Sequence, residues 1–470
     1  MPTNGHSVLA YPTLDEVVKD NPEKTILIWQ TKAVSISGQT LLEANNYLDS
    51  IGKEYAVYFE SVSFNDWDSY LKVINSKVSS DEQIDILSTG SYMPSATAYS
   101  NAYHYYVYEG LYEPLDSYLA NTELGQKLYN QMPQGYWDSL TINNSLYGVS
   151  PSGMIGYRQG YYVNKKLANK YGWDISKTII EQLDILKDIS VNESNCVTVY
   201  LGDDLTSYAC YPNAFVNIYG IYYNSTDDTI GRITEDEEWL EWIRLINTLS
   251  NEGLLQQFGS GISIENKDTF IQLLSMADGI STPSFGDITT QIVGAPTEES
   301  ISCFGDINSI TPNMVTGICS NSKNKDLAFD LLATVQTDKY LNDLLSYDGG
   351  KTNEEDKIYE PGFVGNYAFT FANRMICSPI YYEPIDYIAK FEAILTSDQN
   401  PSYWGFAFDV HPVQATYLEV IKVMQDFDYY EAIPFDELIS KLDAELDKAN
   451  IDVLIKEVQL QYDEWSLTTK

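Results

Sequence analysis

Catalysis needs side chains that can attack, move protons or hold a metal, and this chain has few arranged to do so. Its histidines are His6, His104 and His411, none in the sequence context of a Ser-His or Cys-His triad. The cysteines Cys196, Cys210, Cys303, Cys319 and Cys377 form no C-x-x-C pair or zinc spacing, and an odd number precludes complete intramolecular pairing. Buried small hydrophobes are their expected role. Gly349-Gly350-Lys351-Thr352 ends like a phosphate loop, but Leu345 stands where that loop needs its first glycine, so a turn at a helix end is expected. G-x-G-x-x-G and G-x-S-x-G are absent. Asp203-Asp204 offers two carboxyl groups, as a glycosidase would, but that chemistry sets them ~5–10 Å apart across a cleft. Neighbours in a strand face opposite ways, so the pair cannot meet that geometry. No catalytic residue, metal ligand or cofactor is expected.

Composition excludes further classes. Against 67 Asp and Glu stand 28 Lys and Arg in 470 residues, a formal charge of −39. Such a polyanion is repelled by phosphate backbones and anionic lipid surfaces, and no basic cluster makes a local exception, so nucleic acid is not an expected partner. Hydrophobic residues at 44% and aromatic residues at 13% describe a globular chain of about two to four domains. Tyrosine alone contributes 38 residues, and a tyrosine presents both an apolar face and a hydroxyl. Most are expected to be a compositional habit; a few would line a cleft for something flat, polar and neutral. No run of ~18–20 apolar residues is present. Met1 to His6 carries no basic, apolar leader, as expected of a mature end whose targeting segment was removed.

The elements that must position any site read as β-α-β-α-β at the start. Thr25 to Thr31 is a short, β-branched apolar run, Leu41 to Leu48 carries a helical face, and Tyr55 to Phe59 is the next strand. Trp67 to Val78 gives another helix and Ile84 to Gly90 the third strand. This order predicts a parallel α/β sheet with ligand loops at the carboxyl ends, Thr31-Lys32, Glu60-Ser61 and Thr89 to Tyr92. A second series follows: a strand over Gly156 to Lys165, a helix over Ile179 to Ile189, a strand over Val197 to Leu201 and a helix over Glu237 to Leu249 stopped by Gly253. Asp326 to Leu345 reads as one helix, and Asp436 to Trp465 as a helical stretch broken near Asn450. There is no internal repeat, so two α/β lobes joined by short crossings are expected.

Several phrases, in order, resemble the extracellular solute-binding proteins of ATP-binding-cassette importers, in the group related to maltose-binding protein (family 1). They are Ile26 to Trp29, Ile84-Asp85-Ile86, Gly110-Leu111-Tyr112-Glu113-Pro114-Leu115-Asp116-Ser117-Tyr118-Leu119, Leu146 to Pro151, Tyr162 to Leu167, and Asn321 to Leu332. The end of the chain, Gly405 to Asp409, Asn450 to Val453 and Glu457 to Trp465, is similar to a lipoprotein subgroup from Gram-positive bacteria. The resemblance implies a type II periplasmic-binding-protein fold, with two lobes, a hinge, a central ligand cleft and extra C-terminal helices. The expected lobes are 1–152 with 310–355, and 153–309 with 356–470. Hinges are expected at Ser152 to Tyr157, Gly294 to Met314 and Gly350 to Gly365. The implied protein is a monomer held outside the cell by a lipidated cysteine, which would have to be a removed feature because no cysteine stands near this start. Its partners would be an oligosaccharide and the importer's permease subunits, with no cofactor.

A sugar needs aromatic faces together with planar amide, carboxylate or guanidinium groups at the rim. Thr31, Lys32 and Tyr92 end strands of the first lobe, although Lys32 could equally be a solvated loop charge. By the resemblance, Tyr157 and Arg158 lie at a crossing that carries a polar ligand contact; Arg158 could equally pair with an acid. Tyr208 and Tyr211 fall on a loop where the resemblance puts stacking aromatics. Phe285 follows the strand-like Met276 to Ile280 and is either a platform or a packed loop anchor, and Trp404 is a bulky aromatic in a turn. A neutral oligosaccharide fits the chain's charge best. A peptide or a cationic nutrient stays open as the ligand, and a glycoside hydrolase is the lesser alternative.

Overall fold

The computed structural model describes residues 11–32, 36–62, 67–89, 102–150, 154–201, 219–224, 227–257, 268–278, 300–304, 309–312, 314–349, 351–353, 358–360, 368–373, 375–378, 403 and 405–469, some of them by backbone alone. The chain divides into two compact units, Met1–Met154 with Thr311–Ala407, and Ile155–Ile310 with Phe408–Lys470.

In the first unit, Thr25–Lys32, Tyr55–Val62 and Ile86–Ser88 are parallel strands, as the β-α-β-α-β reading predicts. The returning strand Thr316–Ile318 closes the other edge antiparallel, giving the order Thr316–Ile318, Ile86–Ser88, Thr25–Lys32, Tyr55–Val62. The central strand is buried on both faces, so its run of large apolar residues is what such a position requires. Leu27 and Trp29 are fully buried, and Trp29 lies 5.5 Å from Phe59 and 5.2 Å, edge-on, from Phe371.

One acid ties this unit together. Asp85, fully buried, accepts from the Ile28 amide at 2.9 Å and Gln83 Nε2 at 2.6 Å on one carboxyl oxygen. The other oxygen accepts from Ser322 Oγ at 2.6 Å and Asn324 Nδ2 at 3.2 Å. Its own backbone bonds Ile28 and Cys319. One side chain thus joins the first strand, the third strand and the loop that opens the helix Lys325–Thr337.

Two sequence expectations need correcting here. The helix expected over Asp326 to Leu345 is two helices, Lys325–Thr337 and Lys339–Ser346. Asp338 between them caps the second by accepting from the Leu341 amide at 3.0 Å. The expected transfer of the chain at 355/356 falls instead at 407/408, so 356–407 belongs with the first unit. Phe371 is the physical reason: its ring packs on Trp29 and Phe59, and its carbonyl accepts from Gln336 Nε2 at 2.8 Å and Asn342 Nδ2 at 2.9 Å.

The second unit carries a mixed sheet. Leu255–Gln257, Cys196–Leu201 and Asp268–Asp278 run parallel, and Met154–Asn164 lies antiparallel between Asp268–Asp278 and Ser300–Phe304. Ser309–Pro312 also pairs with Met154–Asn164. The helices Gln414–Asp426, Phe435–Lys448 and Ile451–Thr469 follow, and the last two break at Asn450, which adopts a left-handed φ of 60°. Arg232 clamps that break, bonding Asp447 at 2.8 Å and Asp452 at 2.7 Å. Leu438, Leu442, Leu446, Leu454 and Val458 are fully buried, the faces that the periodicity marks.

Replacing Asp85 by Ala strands several buried donors at once. The variant is expected to lose about 3–5 kcal/mol of unfolding free energy with an unchanged denaturant slope, read from urea titration by circular dichroism.

Candidate functional site

The carboxyl edge of the first sheet is where an α/β unit presents its loops, and polar side chains gather there inside an otherwise apolar sheet. Gln30 is fully buried; its Nε2 donates to the carbonyls of Glu60 at 2.8 Å and Thr31 at 3.2 Å. Its Oε1 has no partner among the described residues. Beyond the strand, Ser37 caps the helix Gly38–Ser50 by accepting from the Thr40 amide, while its own amide donates to Asp348 Oδ1 at 2.9 Å. Asp348 is also fully buried, and its Oδ2 is likewise without a partner among the described residues. A carboxylate suits the positive end of a helix, so this placement stabilises the helix start. Unmet buried acceptors are costly, and both of these atoms are closed off from solvent.

The string Gly349-Gly350-Lys351-Thr352 is explained at the same place. Asp348 and Gly349 take left-handed φ values of 50° and 71° after the helix Lys339–Ser346, and the Gly349 amide donates to the Leu344 carbonyl at 3.0 Å. This is a helix-ending turn that aims Asp348 at Ser37.

Of the residues expected to touch a ligand, Thr31 is fully buried with its hydroxyl 3.5 Å from the Glu60 carbonyl, so it lies beneath the edge. Lys32 ends the strand opposite Val62. Tyr157 and Arg158 lie in the second unit on Met154–Asn164, paired with Ala277 and Met276. Tyr92, Tyr208, Tyr211, Phe285 and Trp404 lie outside the described residues, as do Asp203 and Asp204. Sequence reasoning passed over Gln30 and Asp348. The available signal for Gln30 was an amide between Trp29 and Thr31 in a buried strand; Asp348 had none, because only the fold brings it to Ser37.

Two groups able to do acid, base or nucleophilic chemistry, His104 and Cys319, are held away from it by burial. His104 is buried, and burial pushes its imidazole down to about 3. Cys319 is buried beside Asn321, and burial pushes its thiol up to about 11, far from a reactive thiolate. Among the described residues no three His, Cys, Asp or Glu side chains stand close enough to hold a metal ion. No described helix is long and apolar enough to cross a membrane.

With this geometry in place, the chain can be set beside known proteins. The N-glycan transport solute binding protein (NgtS) of Streptococcus pneumoniae superimposes with a TM-score of 0.69 at 18% identity, over 95% of this chain and 100% of the other. The same protein in complex with Man1GlcNAc gives 0.65 over 94% and 100% at 18% identity. An extracellular solute-binding protein of Bifidobacterium longum subsp. infantis gives 0.60 at 14% identity, over 94% and 99%. The chain has the fold of the two-lobed solute-binding proteins. The ABC-transporter substrate binding protein FusA of S. pneumoniae, in complex with kestose, extends the likeness: 0.57 at 11% identity, over 95% and 100%. Residues 402–466 match a family model described as a domain of unknown function (DUF3502). No curated protein matches the sequence.

Burial of His104 sets a pH dependence. Unfolded histidine titrates near ~6.5, so below that pH the unfolded chain binds a proton that the folded chain refuses. Its contribution to stability is complete above ~6.5 and is lost progressively as pH falls toward the folded value. Unfolding free energies of the wild type from urea titration are expected to drop more steeply between these limits than those of His104→Phe, by about 1 kcal/mol per pH unit.

Proposed function

We propose that this protein is the extracellular solute-binding component of an ABC importer, which captures a neutral oligosaccharide by cleft closure and hands it to the permease subunits. The observation that carries the reading is likeness of fold over nearly the whole chain to NgtS and FusA, whose structures hold Man1GlcNAc and kestose. The charge of −39 supports a neutral solute, because an anion would be repelled. The protein binds without chemistry, acts as a monomer and is held on the outer face of a Gram-positive cell membrane as a lipoprotein. Support for that tether is the resemblance of the C-terminal phrases alone.

In this reading Tyr92, Tyr157, Tyr208, Tyr211, Phe285 and Trp404 supply faces for pyranose rings, and Lys32 and Arg158 reach hydroxyls. Thr31 supports the strand edge from beneath. Ligand stabilises the closed state because only there does it contact both lobes, which shifts an existing equilibrium.

Calorimetric titration against neutral oligosaccharides, monosaccharides, polyamines and short peptides tests this. Oligosaccharides are expected to bind with a negative heat-capacity change, and the Tyr208→Ala/Tyr211→Ala pair to weaken them roughly tenfold or more, from the loss of two stacking faces. Binding confined to peptides or polyamines, or turnover of a glycan, would overturn the reading; unchanged affinity in the double variant would remove those two tyrosines from the site.

A further inference from the structure

The first unit holds a cavity of about 530 Å³ whose lining runs from Asp116 to Leu146, with no residue from the strand edge described above. That volume lies within the ~300–1,000 Å³ typical of small-molecule sites. One wall is aromatic: Tyr129 and Trp137 stack with ring centres 5.1 Å apart and planes 11° from parallel. Trp137 is buried, and Tyr129, half-buried, lies over it. Around it stand the planar amides of Gln126, Asn130 and Gln134 and the carboxyl group of Asp116.

The frame is fixed before any ligand arrives. Trp137 Nε1 donates to the Tyr129 carbonyl at 3.0 Å, and Asp116 takes the Leu146 amide at 3.2 Å. Tyr129 donates its hydroxyl to Gln134 Oε1 at 3.2 Å, and Gln134 Nε2 donates to Asp138 at 2.8 Å. The turn between Asp116–Asn121 and Glu123–Gln131 is packed so closely that a Cβ on Gly125 would meet the Tyr118 carbonyl at 2.2 Å. Preset walls spare a ligand the cost of ordering them.

We infer that this cavity is a second ligand site, separate from the cleft, for a neutral, hydroxyl-rich ring compound of one or two pyranose units. Tyr129, backed by Trp137, takes the apolar face of such a ring, while the amides and the free lone pairs of Asp116 take its hydroxyls. No Lys or Arg lines the cavity, and Asp116 is its one charged group, so anions are disfavoured. The inference stands on the first unit alone and does not rest on the importer reading.

The test uses the full chain grown with 5-fluorotryptophan, which gives a fluorine signal for each of its eight tryptophans, the Trp137 signal being assigned with Trp137→Phe. Methyl glucopyranoside, methyl mannopyranoside and lactose are the probes, with glutamate and a neutral tripeptide as controls. The sugars are expected to shift the Trp137 signal saturably in the millimolar range, and also when a tighter oligosaccharide already fills the cleft. Tyr129→Ala is expected to abolish the shift. Because that change also removes the stacking partner of Trp137, Gln126→Ala/Asn130→Ala, confined to exposed residues, is the deciding variant and is expected to weaken binding roughly tenfold. Absence of a saturable shift, an equal shift with either control, or undiminished binding in the double variant would overturn the site. Loss of tight oligosaccharide binding in calorimetry with this shift intact would sink only the importer reading.

Discussion

The four hydrogen bonds converging on Asp85 are the constraint from which the first unit follows. A carboxylate taken out of water must find donors, and those available come from the first strand, the loop before the third strand and the loop after the returning strand. Satisfying it fixes where the Thr25–Lys32 strand lies against Ile86–Ser88, and where the helix Lys325–Thr337 begins. Strand ends are thereby fixed as well, which sets Gln30 and Thr31 at the edge where loops gather. The Trp29, Phe59 and Phe371 cluster fills the adjacent core, and the burial pattern of its strands works with the Asp85 bonds to hold the register.

A second theme concerns the acids and tyrosines together. With 67 acids and 28 strong cations, most carboxylates cannot find a Lys or Arg partner. Tyrosine hydroxyls take that role at Asp338 and Glu43, to which Tyr47 and Tyr340 donate at 2.7 and 2.6 Å, and they add to a lysine at Asp330 and Glu193, where Tyr55 and Tyr171 donate at 2.6 and 2.7 Å beside Lys53 and Lys170. Tyr223 and Tyr462 share Asp228 and so join a hairpin to the final helix. At Tyr340 and Tyr47 the acid helps to hold the phenol protonated. Bonding to Glu43 and burial push Tyr340 up to about 12, and burial with the Asp338 bond does the same to Tyr47. Part of the tyrosine surplus, read from composition as habit with a few ligand contacts, is therefore structural donation in a chain short of cations.

Much of the fold was legible because it rests on local pattern. The apolar run around Trp29, the spacing of Leu438, Leu442 and Leu446, and the break at Asn450 are short-range signals that burial and backbone geometry enforce. Less of the site was legible. Gln30 and Asp348 each bury an acceptor with no partner among the described residues, a property that exists only once neighbours distant in sequence have closed over them. The placement of 356–407 failed for the same reason: Phe371 carries no periodic signal, and its partners lie far away along the chain.

Sequence by itself determined the chemical character of this protein: acidic, tyrosine-rich, poor in imidazole and built of α/β units. Those properties sum over residues or over short windows, so no three-dimensional information is needed to read them. Tertiary structure alone decided which acid would be buried and satisfied, where the chain passes between its units, and that Tyr129 and Trp137 would wall a cavity with amides around it. Each of these depends on groups meeting across long stretches of chain or across helix turns, and such meetings are set by the packing of the whole unit.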